Sequence, residues 1–163
     1  MKVVTDIVEQ DYWIYNKYAM LHLPAMRKAF MVNFVGVHFT IFMMMLLLKE
    51  PVLVNILATI FLGLLADLII IVMFRKRVKK IAETQRGIVG RHNVEITEEG
   101  ISDRTTEHHT FMIWTDITDI LKDTHNIYIF RGMSFAHIIP LRSFSTEEES
   151  NLFIDEAKKF WRE

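Results

Sequence analysis

Two long apolar stretches, separated by one short polar break, dominate the hydrophobic pattern of the chain. They cover residues 31–48 and 52–74, with Lys49-Glu50-Pro51 between them. As helices they would be about 27 Å and about 34 Å long, at roughly 1.5 Å per residue. A hydrocarbon core is about 30 Å thick, so the pattern predicts a two-helix transmembrane hairpin over residues 31–74. The alternative is a pair of buried helices in a soluble bundle, which would be a large apolar excess for a small chain.

Small and polar side chains inside the two stretches predict where the helices touch. In a hairpin folded about Glu50, residues whose numbers sum to roughly 100 lie at equal depth. Spacings of three, four and seven place the small residues of each stretch on one helical face. Small residues that face each other let two helices approach closely in lipid. The predicted contact seam consists of Asn33, Gly36, Thr40, Thr59, Gly63 and Asp67.

Asp67 is the one acidic residue inside the second stretch. The favoured interpretation is a neutral Asp67, or one hydrogen-bonded to Asn33 at the same depth. The alternative is a proton, ion or partner site, because ionisable residues within membranes often mark such sites. His38 lies about five residues out of level with Asp67, at the rise of an ideal helix, and is predicted to be a poor direct partner.

Basic residues on both outer flanks predict the orientation. Lys17, Arg27 and Lys28 precede the first stretch, whereas the turn carries only Lys49. A basic cluster follows the second stretch, at Arg75, Lys76, Arg77, Lys79 and Lys80. Positive flanks stay inside, so we expect a two-pass protein of the cell membrane with both termini cytoplasmic. The cluster either binds lipid headgroups or acts only as a topology signal, and the second interpretation is favoured.

Residues 1–30 are predicted to form a short N-terminal strand and an amphipathic interfacial segment. The strand would cover residues 2–5, and the segment from Asp11 onward is rich in Tyr and Trp. Such aromatic side chains either settle at the headgroup level or pack on the soluble part of the protein, and both alternatives stay open. Pro24 is expected to bend or end the segment.

Hydrophobic alternation with a period of two begins at Arg91, after a basic link over residues 75–90. Short strands joined by tight turns, among them a turn at residues 131–133, predict an antiparallel meander curled into a small barrel or sandwich. Ser145 and Glu148 form a capping box that starts a C-terminal helix, whose apolar face would close the sheet. The predicted fold is therefore a membrane α-helical hairpin plus an α+β soluble domain over residues 91–163.

Charge and composition limit the possible partners. Residues 1–90 contain 11 Lys and Arg against 6 Asp and Glu, whereas residues 91–163 contain 8 against 14. The acidic C-terminal part argues against nucleic acid, which requires a basic face. The chain has no cysteine, which excludes disulfides and thiolate metal sites.

Several segments carry a resemblance to a known family. They are DYWIYNKYAMLHLP (11–24), VEITEEGISDRT (94–105), FMIWTDITDILKDTHNIYIF (111–130), IIPLRSF (138–144) and EEESNLFIDEAKKFW (147–161). With the order of two spans, basic link, strands and one helix, they resemble the YcxB-like family of bacterial membrane proteins. The resemblance implies a pleckstrin-homology-like (PH-like) C-terminal domain but no reaction and no catalytic residues.

The resemblance also bears on ligands. PH-like folds elsewhere bind phosphoinositides or peptides, and a phosphoinositide site requires basic residues on the first hairpin. That hairpin here carries Glu95, Glu98, Glu99 and Asp103. Headgroup capture by this domain is therefore not expected, and contact with a peptide or protein stays open.

No motif points to catalysis. In a strand, Glu107 and His109 share a face and His108 points away, so they cannot hold one metal ion together. His92, His125 and His137 could meet across strands, but nothing in their spacing requires it. Neither a nucleophile elbow nor a phosphate-binding glycine loop is present. We expect no enzyme, no cofactor and no metal.

The sequence is consistent with three functions. The favoured one is an interaction or regulatory module at the inner membrane surface, with the lipid bilayer and a membrane protein or peptide as partners. The alternative is immunity or resistance against a membrane-active antimicrobial peptide, since an acidic domain suits a cationic peptide. The third is a transporter accessory that uses Asp67 as a protonatable group. The oligomeric state stays open.

Overall fold

The computed structural model describes residues 1–48, 50–132 and 135–162. The predicted turns at Lys49 and Met133 fall on residues outside this described part. The chain divides into two compact units, one of Met1–Lys17 with Lys79–Glu163 and one of Tyr18–Val78. The predicted boundary at residue 30 does not coincide with this division, because the N-terminal strand belongs to the same unit as the C-terminal domain.

Three helices lie between the first and second strands of the chain. They are α1 (Glu9–His22), α2 (Pro24–Leu46) and α3 (Val52–Thr84). Pro24 ends the aromatic segment as predicted and occupies the first turn of α2, where its missing N–H removes no helical hydrogen bond. Helices α2 and α3 are both long and apolar enough to cross a membrane. Helix α3 continues past the apolar stretch through the basic cluster.

The first sheet joins the two ends of the sequence. It contains β1 (Lys2–Ile7), β2 (Gly90–Ile96), β3 (Gly100–Arg104) and β4 (His109–Ile113), in this order and antiparallel. Strand β1 alternates between exposed and buried positions and pairs with β2 along its full length, from Lys2 opposite Glu95 to Ile7 opposite Gly90. The apolar hairpin is therefore inserted in the sequence between two neighbouring strands of one sheet.

The second sheet is formed by β5 (Ile117–Lys122), β6 (Asn126–Arg131) and β7 (Phe135–Pro140), again antiparallel. A 3-10 turn at Trp114–Asp116 separates it from the first sheet. The described strands form two sheets and no closed barrel, so of the two predicted arrangements the barrel is wrong.

The apolar core lies between the sheets and against α4 (Glu147–Arg162). Its members are Val3, Val94, Ile96, Ile101, Met112, Trp114, Ile117, Ile120, Ile127, Ile129, Ile139, Phe144, Phe153, Ile154 and Ala157. Burying each of the large aliphatic or aromatic side chains contributes about 1.5–3 kcal/mol. The predicted apolar face of the C-terminal helix is confirmed, since Phe153 and Ala157 are fully buried.

The cap of α4 lies one residue further than predicted. Thr146 Oγ1 accepts a hydrogen bond from the Glu149 amide at 3.2 Å, and Glu149 Oε2 accepts one from the Ser145 amide at 2.7 Å. The sequence Ser-Thr-Glu-Glu-Glu allows two overlapping capping boxes, and the structure uses the second.

Helix α1 packs on the face of the second sheet that points away from the core. The ring of Tyr15 lies 5.7 Å from Tyr128 and 6.4 Å from Phe130. Arg142 binds both carboxylate oxygens of the buried Asp11 and so ties the start of α1 to the end of β7. At Tyr15, the aromatic segment packs on the strand-rich domain, which was one of its two predicted positions.

Candidate functional site

The inner face of the first sheet changes from apolar to polar within two residues along each strand. Val3 lies opposite Val94, and Ile101 lies opposite Met112. One layer further along, on the same face, Thr5 lies opposite His92 and Asp103 lies opposite Thr110. Polar side chains thus occupy core-facing positions at one end of the first sheet.

Two of these polar groups, His92 and Asp103, form a cluster with His137 of the second sheet, called here the His–Asp–His cluster. Asp103 on β3 accepts hydrogen bonds from His92 Nδ1 on β2 and from His137 Nδ1 on β7, all at 3.0 Å. His92 and Asp103 are 3% and 8% exposed, and the side chain of His137 is 20% exposed. The cluster therefore ties β7 to the first sheet through ionisable groups.

The hydrogen bonds determine the charge of Asp103. Burial raises the pKa of this carboxyl, but the hydrogen bonds from His137 and His92 outweigh burial and hold the pKa below its usual range. Asp103 is therefore a carboxylate at neutral pH. A carboxylate only accepts, so both imidazoles carry their proton on Nδ1. His92 Nε2 is buried without a hydrogen-bond partner in the described part of the chain.

A groove opens next to this cluster, between the edge strand β4 and the start of β7. It has a volume of about 650 Å³ and is lined by Thr110, Met112, Arg131, Gly132, Phe135, Ala136 and His137. Its lining is mainly apolar, and Phe135 is 77% exposed at its rim. Pockets of roughly 300–1,000 Å³ with apolar walls and a few convergent polar groups are typical ligand sites. His137 belongs to both the groove and the His–Asp–His cluster.

The residues of the predicted contact seam in the hairpin differ in their exposure. On α3, Thr59 and Gly63 are buried. On α2, Asn33, Gly36 and Thr40 are exposed, so they do not face α3. The partly buried residues of α2 are instead Phe30, Val37, His38, Ile41, Phe42 and Met45. The more buried face of α2 therefore carries larger side chains than the predicted seam.

His38, not Asn33, is the partner of Asp67. His38 Nε2 lies 3.7 Å from Asp67 Oδ2, so the prediction that His38 is a poor partner is wrong. In a helix each Cα–Cβ bond tilts toward the N-terminus. In an antiparallel hairpin these two side chains lean toward each other, and together they cover the difference in level. Gly63 makes room, since a Cβ there would lie 2.3 Å from His38 Nε2.

The basic cluster that follows the apolar stretch lies on α3, and its five side chains are exposed. Lys79 forms ion pairs with Glu9 at 3.2 Å and with Glu83 at 3.7 Å. Part of the positive charge is therefore already matched by acidic groups of the same chain.

The remaining histidines do not converge on one point. His109 Nε2 lies 3.0 Å from Ser102 Oγ, and Glu107 pairs with Arg86 at 3.5 Å. Among the residues that the structure describes, no group of three or more His, Asp or Glu is placed to hold a metal ion. In the His–Asp–His cluster, both Nδ1 atoms are directed at the carboxylate.

Asp103 is the functional candidate that sequence reasoning passed over. It appeared only as one of the acidic residues that disfavour a phosphoinositide. The alternation of the strand could have identified it, because Asp103 lies two residues after Ile101 and therefore on the same, core-facing side. His92 has the same signal, two residues before Val94.

Comparison with known proteins supports the resemblance found in the sequence. Residues 96–157 match the sequence model of a family described as YcxB-like protein. The match runs from the end of β2 into α4, and the N-terminal segment that also carried the resemblance lies outside it. No curated protein and no solved structure matches the chain.

Proposed function

Residues 96–157 belong to the YcxB-like family, and from this premise we propose that the protein is a membrane-anchored interaction or regulatory module without catalytic activity. The apolar hairpin holds a PH-like domain at the inner surface of the bacterial cell membrane. There the domain binds a segment of a membrane protein or a peptide and so regulates it.

The groove between β4 and β7 is the observation that carries this proposal. It combines apolar walls, an exposed Phe135 and the cationic side chain of Arg131. Exposed aromatic side chains and arginines are the residue types most often found at the centre of protein interfaces. An extended segment with an apolar side chain and a nearby carboxylate would match this lining.

The order of elements supports the PH-like part of the proposal. Four antiparallel strands, three further antiparallel strands and a C-terminal helix follow one another around a common core. The hairpin lies in sequence between the first two strands, so the chain enters and leaves the domain at neighbouring strands of one sheet.

The test is site-specific photocrosslinking in native membranes. A photoreactive phenylalanine analogue replaces Phe135 at the groove. A second variant carries it at Leu152, which is 62% exposed on α4 and does not line the groove. We expect one membrane protein or peptide, identified by mass spectrometry, to be crosslinked from position 135 and not from position 152.

Two outcomes contradict the proposal. Equal yields of the same products from both positions would mean that the groove has no selectivity. If position 135 gives no crosslinked product other than the protein itself, a regulatory partner at the groove is excluded. This outcome would favour direct action at the bilayer, as in resistance to an antimicrobial peptide.

A further inference from the structure

The hairpin contains a pair of ionisable groups that the proposed function does not use. His38 on α2 and Asp67 on α3 approach to 3.7 Å, and the side chain of each is less than a quarter exposed. Asp67 Oδ2 is buried and has no hydrogen-bond donor among the described residues. We propose that His38 and Asp67 form a proton-binding site that holds α2 and α3 together.

The hydrogen bond on the far side of the imidazole determines how many protons the pair can hold. His38 Nδ1 lies 2.9 Å from the carbonyl oxygen of Phe34. A carbonyl only accepts, so Nδ1 carries a proton in every state of the site. The exchangeable proton therefore lies between Nε2 and the carboxylate of Asp67. One proton gives either imidazolium with carboxylate or imidazole with carboxylic acid, and both arrangements have zero net charge.

Loss of this proton makes the closed hairpin unfavourable. The lone pair of Nε2 then faces an anionic carboxylate that has no donor, in a seam lined by Gly63, Thr59 and apolar side chains. Thr59 cannot compensate, since its hydroxyl donates to the Asn55 carbonyl at 2.7 Å. A buried charge without a partner is costly. Asp67 lies seven residues, about 10 Å, before the end of the apolar stretch at Phe74. Separation of the two helices at this end lets interfacial water reach the carboxylate.

The surroundings contain no other group that could replace the proton. Among the described residues, His38 is the one charged or titratable side chain within ion-pair distance of Asp67. Glu50, also in this unit, lies two residues before α3 and seventeen residues from Asp67, and its carbonyl accepts from Asn55. The described basic residues next to the apolar stretches, at 27–28 and 75–80, are exposed. The proton of the pair is therefore the switchable charge of this seam.

Distance measurements between spin labels on the full chain in lipid bilayers test the proposal. The protein has no cysteine, so two engineered cysteines suffice for labelling. One pair, at the exposed Met31 and Met73, reports on the open ends of α2 and α3. A second pair, at the exposed Met44 and Leu57, reports on the end next to the turn.

We expect the 31/73 distance to increase by about 5 Å, half a helix diameter, when the pH rises from about 5 to about 8, the interval in which histidine ordinarily titrates. The 44/57 distance stays constant. Asp67→Asn, a neutral isostere, keeps the short 31/73 distance at both pH values. Asn33→Leu changes an exposed residue of the same hairpin and keeps the wild-type response.

Either of two results overturns the proposal. If the 31/73 distance in the wild type does not change with pH, proton release from the pair does not change the packing of α2 against α3. A pH response that persists in Asp67→Asn assigns the effect to another group. The hairpin measurement is independent of the groove, so it can fail while the proposed function holds.

Discussion

Replacement of Asp103 by alanine removes the acceptor that connects the two sheets through the His–Asp–His cluster. In the wild type, the carboxylate accepts from His92 and His137 at 3.0 Å. In Asp103→Ala, both Nδ1–H groups lose their acceptor at once. His92 is 3% exposed and cannot turn to water, whereas His137 faces the groove and can be hydrated.

The expected loss of stability in Asp103→Ala follows from the burial of the two histidines. An unsatisfied buried donor costs about 1–3 kcal/mol, and a hydrogen bond to a charged group contributes about 1.5–3 kcal/mol. His92 contributes the full cost and His137 only part of it. The buried carboxylate itself is removed, which returns some desolvation energy. We expect the free energy of unfolding of the domain to fall by about 2–4 kcal/mol.

Urea unfolding of the full protein in detergent, followed by tryptophan fluorescence, measures this change. All three tryptophans belong to the unit that contains the sheets, so the signal reports on that unit alone. Trp114 is buried and donates to the Thr97 carbonyl at 2.9 Å, which makes its emission sensitive to the core.

Asp116→Ala is the matched control, because Asp116 also forms an ion pair, with Arg131 at 3.4 Å, but on the surface. Exposed pairs contribute less than about 1 kcal/mol. If Asp103→Ala destabilises the protein no more than Asp116→Ala does, the cluster does not hold the sheets together and the reasoning from burial is refuted.

Three further predictions concern the N-terminal helix, the hairpin and acid. In Arg142→Ala, the buried Asp11 loses its ion-pair partner and keeps the hydrogen bond from the Val8 amide. The free energy of unfolding should fall by about 1–3 kcal/mol, less than for a fully buried pair, because Arg142 is half-exposed. Proteolysis of α1 should become faster. Gly63→Ala should weaken the hairpin in a detergent unfolding assay, since its Cβ meets the ring of His38. In a His38→Ala background, where no ring occupies this space, the same substitution should reduce the stability less. The pKa of Asp103 is lower in the folded state than in the unfolded state. The carboxylate therefore stabilises the fold above about pH 4, and this stabilisation is lost at lower pH. In Asp103→Asn, the free energy of unfolding should fall less on acidification than in the wild type.

Much of the strand-rich domain could be predicted from the hydrophobic period and from turn residues. The alternation of Val94 and Ile96, and the stops at Gly100 and Pro140, mark strands that the structure contains. The pairing of β1 with β2 could not be predicted, because no local signal connects residues that are separated by the entire apolar hairpin.

The candidate sites could not be predicted fully, because the spacing of residues along the chain does not determine how helices rotate and sheets pack. The seam prediction assumed that small residues face each other, but the rotation of α2 about its axis is decided by which side chains fill the contact. The count of residues from the turn placed His38 and Asp67 at different depths, because it compared Cα positions and ignored the tilt of the side chains. In the domain, the phase of His92 and Asp103 indicated that both are core-facing, but only the packing of β7 brought His137 to them.

The pairing of β1 with β2 has a consequence for the order of events during synthesis. Strand β1 leaves the ribosome before both long apolar helices, and its partner β2 follows only after them. Until then β1 has exposed backbone groups and no neighbour on that side. The four-stranded sheet can therefore be completed only after the hairpin has been translated. A chain arrested during translation of the hairpin would hold an unpaired N-terminal strand, which is a form that quality-control proteases can recognise.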